Sequence, residues 1–140
     1  MSGNPIKILL VEDDEVDVMN VKRAFKKNNI SNPLVVVGNG IEALDYLRST
    51  ENKNELPKII LLDLNMPLMG GIEFLTELRK DDHLHRISVF VMTTSNQDND
   101  KIDAYNLNVA GYILKPLSME RFINAVSTLK SYWTLCEFPD

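Results

Sequence analysis

Five short and continuously apolar runs constrain the fold of this chain more than any other feature. Most are rich in β-branched residues, and they lie at 6–11, 34–37, 59–62, 89–92 and 112–114. Continuous hydrophobicity, in place of alternation, is expected when neither face of a strand meets water, as in a parallel sheet covered on both sides. The runs therefore predict five buried strands, and the segments between them are expected to be helices.

The intervening segments carry helical signals. In the segment of about residues 15–28, Val18, Val21 and Phe25 are spaced by three and four residues. Asp14, a favoured N-cap residue, precedes this segment. The remaining helices are expected after Gly40, after Gly71, around 102–107 and after Ser118. Five strands alternating with five helices predict an α/β fold, a doubly wound (βα)5 parallel sheet with helices on both faces.

Composition narrows the domain count and the partner classes. A chain of 140 residues with 44% hydrophobic side chains has the size of one domain, 1–140, with a core of about 6–130 and an extension of about 131–140. The formal charge of −5 opposes direct nucleic-acid binding. The lone Cys136 excludes an intramolecular disulfide, and no Cys or His pair has zinc-site spacing. Without a leader peptide or a membrane-length apolar run, we expect a cytoplasmic protein with no membrane contact.

Polar side chains follow four of the expected strands, at the edge where ligands of doubly wound sheets bind. Glu12 and Asp13 follow the first strand, Asp63 the third, Thr93 the fourth and Lys115 the fifth. Two carboxylates about 4 Å apart repel by about 4 kcal/mol at an effective dielectric of about 20, so three acids need neutralisation. All-oxygen ligands with open positions suit Mg²⁺ or Mn²⁺. Taken alone, the acids at 12–15 are also typical of a solvated strand end that caps the first helix, and Asp63 is as typical of a turn as of a reactive group.

The combination of these motifs resembles the receiver domain of two-component response regulators, the CheY-like family. The shared motifs are Leu-Leu-Val-Glu-Asp-Asp at 9–14, Leu-Leu-Asp-Leu-Asn-Met-Pro at 61–67 followed by Gly70-Gly71, Thr93, and Gly-Tyr-Ile-Leu-Lys-Pro at 111–116. Each motif alone is weak, but four in this order at strand ends are highly specific. The resemblance covers about 6–130 and implies a flavodoxin-like sheet with strand order 2-1-3-4-5.

Carried over position by position, the resemblance implies roles for seven residues. Asp63 is the expected phosphoryl acceptor. The expected ligands of Mg²⁺ or Mn²⁺ are Glu12, Asp13, Asp63 and, through its backbone carbonyl, Asn65. Thr93 and Lys115 are expected to contact the phosphoryl group, and Thr93 with Tyr112 to form the conformational switch. Glu12 stands where the family more often has Asp, a change that affects metal affinity rather than metal use.

The resemblance also implies partners. It predicts a phosphoprotein that serves as a signalling switch, not an enzyme acting on a separate substrate, although it catalyses its own phosphorylation and dephosphorylation. A sensor histidine kinase is the implied donor. Thr-Thr-Ser at 93–95 and the Tyr132-Trp133 pair are similar to small regulators that pair with bacterial phytochromes, which implies a phytochrome kinase and a homodimer. We expect no output domain, and therefore a stand-alone regulator acting on another protein.

Alternatives to a phosphorylated switch remain. Haloacid-dehalogenase phosphatases also use an Asp nucleophile with Mg²⁺, but they carry a second Asp where this chain has Asn65. A flavodoxin-like electron carrier would need a phosphate-binding loop where this chain has four acids at 12–15. A docking module that is independent of phosphorylation stays open. The tail residues Trp133, Leu135 and Phe138 either anchor a partner or fold back onto the core.

Overall fold

The computed structural model describes residues 6–49, 55–115 and 118–138 as a five-stranded parallel sheet with five helices. The elements are β1 Ile8–Val11, α1 Glu15–Lys27, β2 Leu34–Val37, α2 Gly40–Ser49, β3 Ile59–Leu62, α3 Gly71–Lys80, β4 Ser88–Thr93, α4 Asp98–Asn106, β5 Gly111–Leu114 and α5 Met119–Leu135. The strand order is β2-β1-β3-β4-β5. The predicted fold class and strand order are confirmed. Pro116, the last residue of the fourth motif, lies outside the described residues.

Two boundaries differ from the sequence prediction by more than one residue. β1 begins at Ile8 rather than at residue 6, because its neighbours β2 and β3 begin only opposite Ile8, and Pro33 just before β2 has no N–H to donate. α4 begins at Asp98, four residues before the expected start near Ile102. Its first turn consists of polar residues that are exposed or half-buried, so apolar periodicity carried no signal for it.

The core has two layers, one on each face of the sheet. Alternate residues of β1, β3 and β4 face α2, α3 and α4, and the others face α1 and α5. In β1, for example, Leu9 and Val11 join the first layer, whereas Ile8 and Leu10 join the second. Both faces of the central strands are therefore buried, which explains their continuous hydrophobicity.

The C-terminal extension continues α5, and its apolar residues divide between core and surface. Trp133 is buried against Phe25 of α1, with ring centroids 6.1 Å apart, and Phe138 packs against the same core layer. Leu135 is 84% exposed. Of the two alternatives for the tail, packing onto the core is therefore confirmed for Trp133 and Phe138. Leu135, the third of these residues, is exposed and accessible to a partner. No helix within the described ranges is long and apolar enough to cross a membrane.

Sheet register brings the acidic strand ends together. Val11 pairs with Leu62, so Glu12 and Asp63 leave neighbouring strands at the same level, and the Asp63 amide donates to the Val11 carbonyl at 3.0 Å. On the other side, the Lys115 amide donates to the Thr93 carbonyl at 2.8 Å. The ends of β1, β3, β4 and β5 therefore form one edge.

Candidate functional site

Three carboxylates converge at this edge. One carboxylate oxygen each from Glu12, Asp13 and Asp63 can be chosen so that all three lie within 4.8 Å of one another. Glu12 and Asp63 are buried, at 5% and 7% exposed, while Asp13 is exposed to solvent. Neutralising them requires positive charge, and oxygen ligands in this number and spacing have the chemistry of a divalent-cation site. The acidic cluster predicted from the sequence is thus assembled, and its residues fit a metal ion.

The cluster opens into a cleft of about 620 Å³ that also contains Asn65, Thr94 and Lys115. The backbone amide of Asn65 donates to Asp63 Oδ1 at 3.3 Å, which orients the buried carboxylate. The Asn65 side chain donates to Thr94 Oγ1 at 3.4 Å and so joins the β3–α3 loop to the residue after β4. Asp63 therefore sits at the floor of an open and polar cleft.

Lys115 supplies an ammonium group within this cleft. Its Nζ donates to Glu12 Oε1 at 2.8 Å and to Asp17 Oδ2 at 2.7 Å. Burial alone would lower the pKa of Lys115, but the hydrogen bonds to Asp17 and Glu12 and the nearby charge of Asp63 outweigh that effect and raise it. The lysine consequently remains charged at neutral pH.

Glu12 is the acid whose protonation responds most to this environment. Burial raises its pKa to about 7, with the charge of Asp63 adding to the rise and the hydrogen bond from Lys115 opposing it. Its Oε2 accepts from the Asp14 amide at 3.3 Å, so both carboxylate oxygens have partners. A cation that binds Glu12 therefore displaces a proton near neutral pH.

The two residues expected to form the switch do not line the cleft. Thr93 is fully buried behind it, and its Oγ1 accepts from the Ser95 amide at 3.3 Å. The Tyr112 side chain is half-buried against the core layer beneath α2, α3 and α4, and its hydroxyl donates to the Ser95 carbonyl at 2.9 Å. The Ser95 hydroxyl in turn donates to Asp100 at the start of α4. Thr93, Tyr112 and α4 are thus all connected through Ser95.

Sequence reasoning missed one charged residue of the site, Asp17. A signal for it exists in the pattern of α1. Asp17, Val21 and Ala24 are spaced by four and three residues, so the carboxylate lies on the stripe that faces the core. An acid on a core-facing stripe next to the strand ends indicates a buried cationic partner, which here is Lys115.

Comparison with known proteins agrees with this geometry. The family model described as "Response regulator receiver domain" matches residues 8–127. The chain is 39% identical over 131 residues to the probable methanogenesis regulatory protein FilR2 of Methanothrix harundinacea, covering 93% of this chain and 84% of that protein. It is 36% identical over 134 residues to the response regulator Rcp1 of Synechocystis, covering 94% of this chain and 91% of Rcp1.

Solved structures show the same likeness. The phosphorylated cyanobacterial phytochrome response regulator RcpA superposes with a TM-score of 0.86 at 34% identity, covering 97% of this chain and 99% of RcpA. The Mn²⁺-bound form of Rcp1 superposes with a TM-score of 0.85 at 34% identity, covering 97% of this chain and all of that one. The matched fold, motif order and acidic cluster lead to one conclusion: the chain belongs to the response regulator receiver domain family.

Proposed function

We propose that this receiver domain accepts a phosphoryl group on Asp63 from a phosphohistidine donor in a reaction that depends on Mg²⁺. One observation carries the proposal: the buried Asp63 carboxylate shares its cleft with two further acids and with the Lys115 ammonium. A nucleophilic carboxylate, a cation site and a fixed positive charge are what phosphoryl transfer requires of a protein.

In the proposed transfer, an Asp63 oxygen forms a bond to phosphorus as the bond between phosphorus and the donor imidazole nitrogen breaks. Glu12, Asp13, Asp63 and the backbone carbonyl of Asn65 would hold Mg²⁺, or Mn²⁺ as in the Rcp1 relative. When bound, the ion supplies charge neutralisation for the phosphoryl oxygens. The Asn65 amide keeps Asp63 oriented for attack. Hydrolysis of the same acyl phosphate by water, within this cleft, would return the domain to its resting state.

Lys115 and Thr93 are proposed to contact the phosphoryl group after transfer. The Lys115 ammonium already lies in the cleft. Thr93 is bonded to the Ser95 amide, so its hydroxyl must turn to reach a phosphoryl oxygen. Because Ser95 also holds the Tyr112 hydroxyl and Asp100, that turn would loosen the connection between β5 and α4. This supports Thr93 and Tyr112 as the switch that alters the surface formed by α4, β5 and α5.

The partners are proposed from the relatives. RcpA is described as a phytochrome response regulator, which supports a histidine kinase of the phytochrome class as donor for this chain. A donor charged from ATP implies the cytoplasm as the compartment. We also propose a homodimer through the surface of α4, β5 and α5, where Ile102, Tyr105 and Leu135 are exposed. The receiver unit would span the whole chain, with the extension after about residue 130 joining that surface.

The test is to incubate the protein with a small phosphodonor, with and without Mg²⁺, and to follow intact mass. Wild type is expected to gain one phosphoryl group only with Mg²⁺, and Asp63→Asn is expected to gain none. Asp14→Asn is the matched control, because Asp14 is an exposed acid beside the cluster that caps α1. Unphosphorylated wild type under conditions in which it is folded would favour a docking module independent of phosphorylation.

A further inference from the structure

Lys115 is held in the resting site by two carboxylates on its α1 side. Its Nζ lies 2.7 Å from Asp17 Oδ2 and 2.8 Å from Glu12 Oε1, both short charge-assisted hydrogen bonds. The Lys115 side chain is only 13% exposed and that of Asp17 is 33% exposed, so water screens this pair less than a surface pair. Within the described ranges, the ammonium donates to Glu12 and Asp17 and not to Asp63.

The ammonium of Lys115 has three protons to donate, but its nitrogen can occupy only one place in the cleft at a time. Two protons are already directed at carboxylates on the α1 side of the cleft. A phosphoryl oxygen on Asp63 must therefore attract Lys115 against these existing bonds. Glu12 can exchange the lysine for a divalent cation, whereas Asp17 lies outside the acidic cluster that fits a metal and stays available to Lys115.

We propose, on the basis of the function proposed above, that Asp17 is a positioning residue that holds the Lys115 ammonium toward α1 and competes for it with the phosphoryl group on Asp63. Asp17 stabilises the unphosphorylated form by this bond. Its carboxylate is thereby a regulator of how strongly the site binds a phosphoryl group.

The surroundings of Lys115 allow such an exchange. A cavity of about 160 Å³ lies between α1 and α5 and borders Glu12, Asp17 and Lys115. Its apolar lining comes from Val21, Met92, Met119 and Phe122. The aliphatic stem of Lys115 can turn within this space while the ammonium remains at the polar mouth. Core residues need not be displaced when the lysine changes partner.

The experiment measures the dissociation constant of beryllofluoride, which mimics a phosphoryl group on Asp63, at saturating Mg²⁺ and moderate salt. Asp17→Asn keeps the size of the side chain and removes its charge. It is expected to bind beryllofluoride about three- to tenfold more tightly than wild type, the scale of a partly screened ion pair. Asp17→Glu restores the carboxylate and is expected to return the constant toward the wild-type value.

Glu15→Gln is the matched control. Glu15 lies in the same first turn of α1, lines the cleft and is exposed, and its removal changes the net charge equally without touching Lys115. It is expected to leave the constant within about twofold of wild type. A second control places Asp17→Asn in a Lys115→Met background. There the substitution is expected to leave the dissociation constant unchanged, because the ammonium for which Asp17 competes is absent.

Several outcomes overturn the inference. Asp17→Asn that binds beryllofluoride as wild type does, or more weakly, shows that Asp17 does not compete for Lys115. If Glu15→Gln increases the affinity for beryllofluoride equally, the effect comes from the net charge of the cleft rather than from Lys115. The same conclusion follows if Asp17→Asn still increases the affinity in the Lys115→Met background. Circular dichroism of each variant establishes that it is folded. Wild type that binds no beryllofluoride contradicts the proposed function itself, which separates that failure from failure of the inference alone.

Discussion

Arg79 of α3 is the residue whose replacement tests the packing of the α4 side of the molecule most sharply. Its guanidinium donates four hydrogen bonds to backbone carbonyls of the segments before β4 and after α4, at His85, Ile87, Leu107 and Asn108, with lengths of 2.7 to 3.1 Å. Arg79→Lys keeps the charge but loses the planar fork, so it can satisfy one or two of these acceptors. Two of the four bonds are partly buried.

The magnitude follows from those two partly buried bonds. A hydrogen bond from a charged donor contributes about 1.5 to 3 kcal/mol. Water can replace the two exposed bonds and the lysine can replace one of the two partly buried bonds, so Arg79→Lys is expected to cost about 1.5 to 3 kcal/mol of unfolding free energy. Urea titration followed by the fluorescence of Trp133, the single and buried tryptophan, measures this cost. Arg86→Lys, at an exposed site in the same region, is the control and is expected to change stability by less than about 0.5 kcal/mol. Equal stability of the two variants would refute the reasoning.

Three further outcomes are expected. Burial raises the pKa of Glu12 to about 7, so its carboxylate is protonated below that pH. The affinity for Mg²⁺ should therefore fall by up to about tenfold per pH unit as the pH drops below 7. An affinity that stays constant in Mg²⁺ titrations between pH 8 and 5.5 would contradict this. Gly71→Ala would place a Cβ 2.7 Å from the carbonyl oxygen of Asp63, so thermal unfolding should show a loss of about 2 kcal/mol or more; Gly38→Ala, with its nearest contact at 3.5 Å, is the control and should lose far less. Thr93→Ala should still be phosphorylated on Asp63 but should dimerise less in response, as measured by size-exclusion chromatography with light scattering; an unchanged response would remove Thr93 from the switch.

The central strands were predictable because a strand that is buried on both faces needs a continuous run of apolar residues. β2 and β3 match the predicted runs residue for residue. β3 is buried along its whole length, whereas the edge strand β2 is half-buried, with Val36 exposed, and is recognised by its continuous run of Leu and Val. The start of α4 was not predictable from periodicity, because its first turn has no apolar residue and its contacts, such as that between Asp100 and Ser95, are polar. The local pattern of apolar residues therefore predicts whether a segment is a helix or a strand. Where the element begins and ends depends on the hydrogen-bond partners that neighbouring segments provide.

Convergence of the acids was likewise predictable, because the carboxyl ends of parallel strands share one edge. Glu12, Asp13 and Asp63 meet as expected. The partners of Lys115 and Arg79 were not predictable in the same way. The pattern of α1 places Asp17 on the core-facing stripe but does not by itself name Lys115 as its partner. Arg79 binds backbone carbonyls up to 29 residues away, and the pattern of side chains carries no information about such contacts.

The identity of the phosphorylated residue is the most direct test of the proposed chemistry. Borohydride reduction of an acyl phosphate converts the modified aspartate to homoserine, and tandem mass spectrometry of the digested protein then locates it. After reaction with a small phosphodonor and Mg²⁺, homoserine is expected at position 63 and at no other aspartate. Homoserine at position 13, 14 or 17, or at none, would contradict phosphoryl transfer to Asp63.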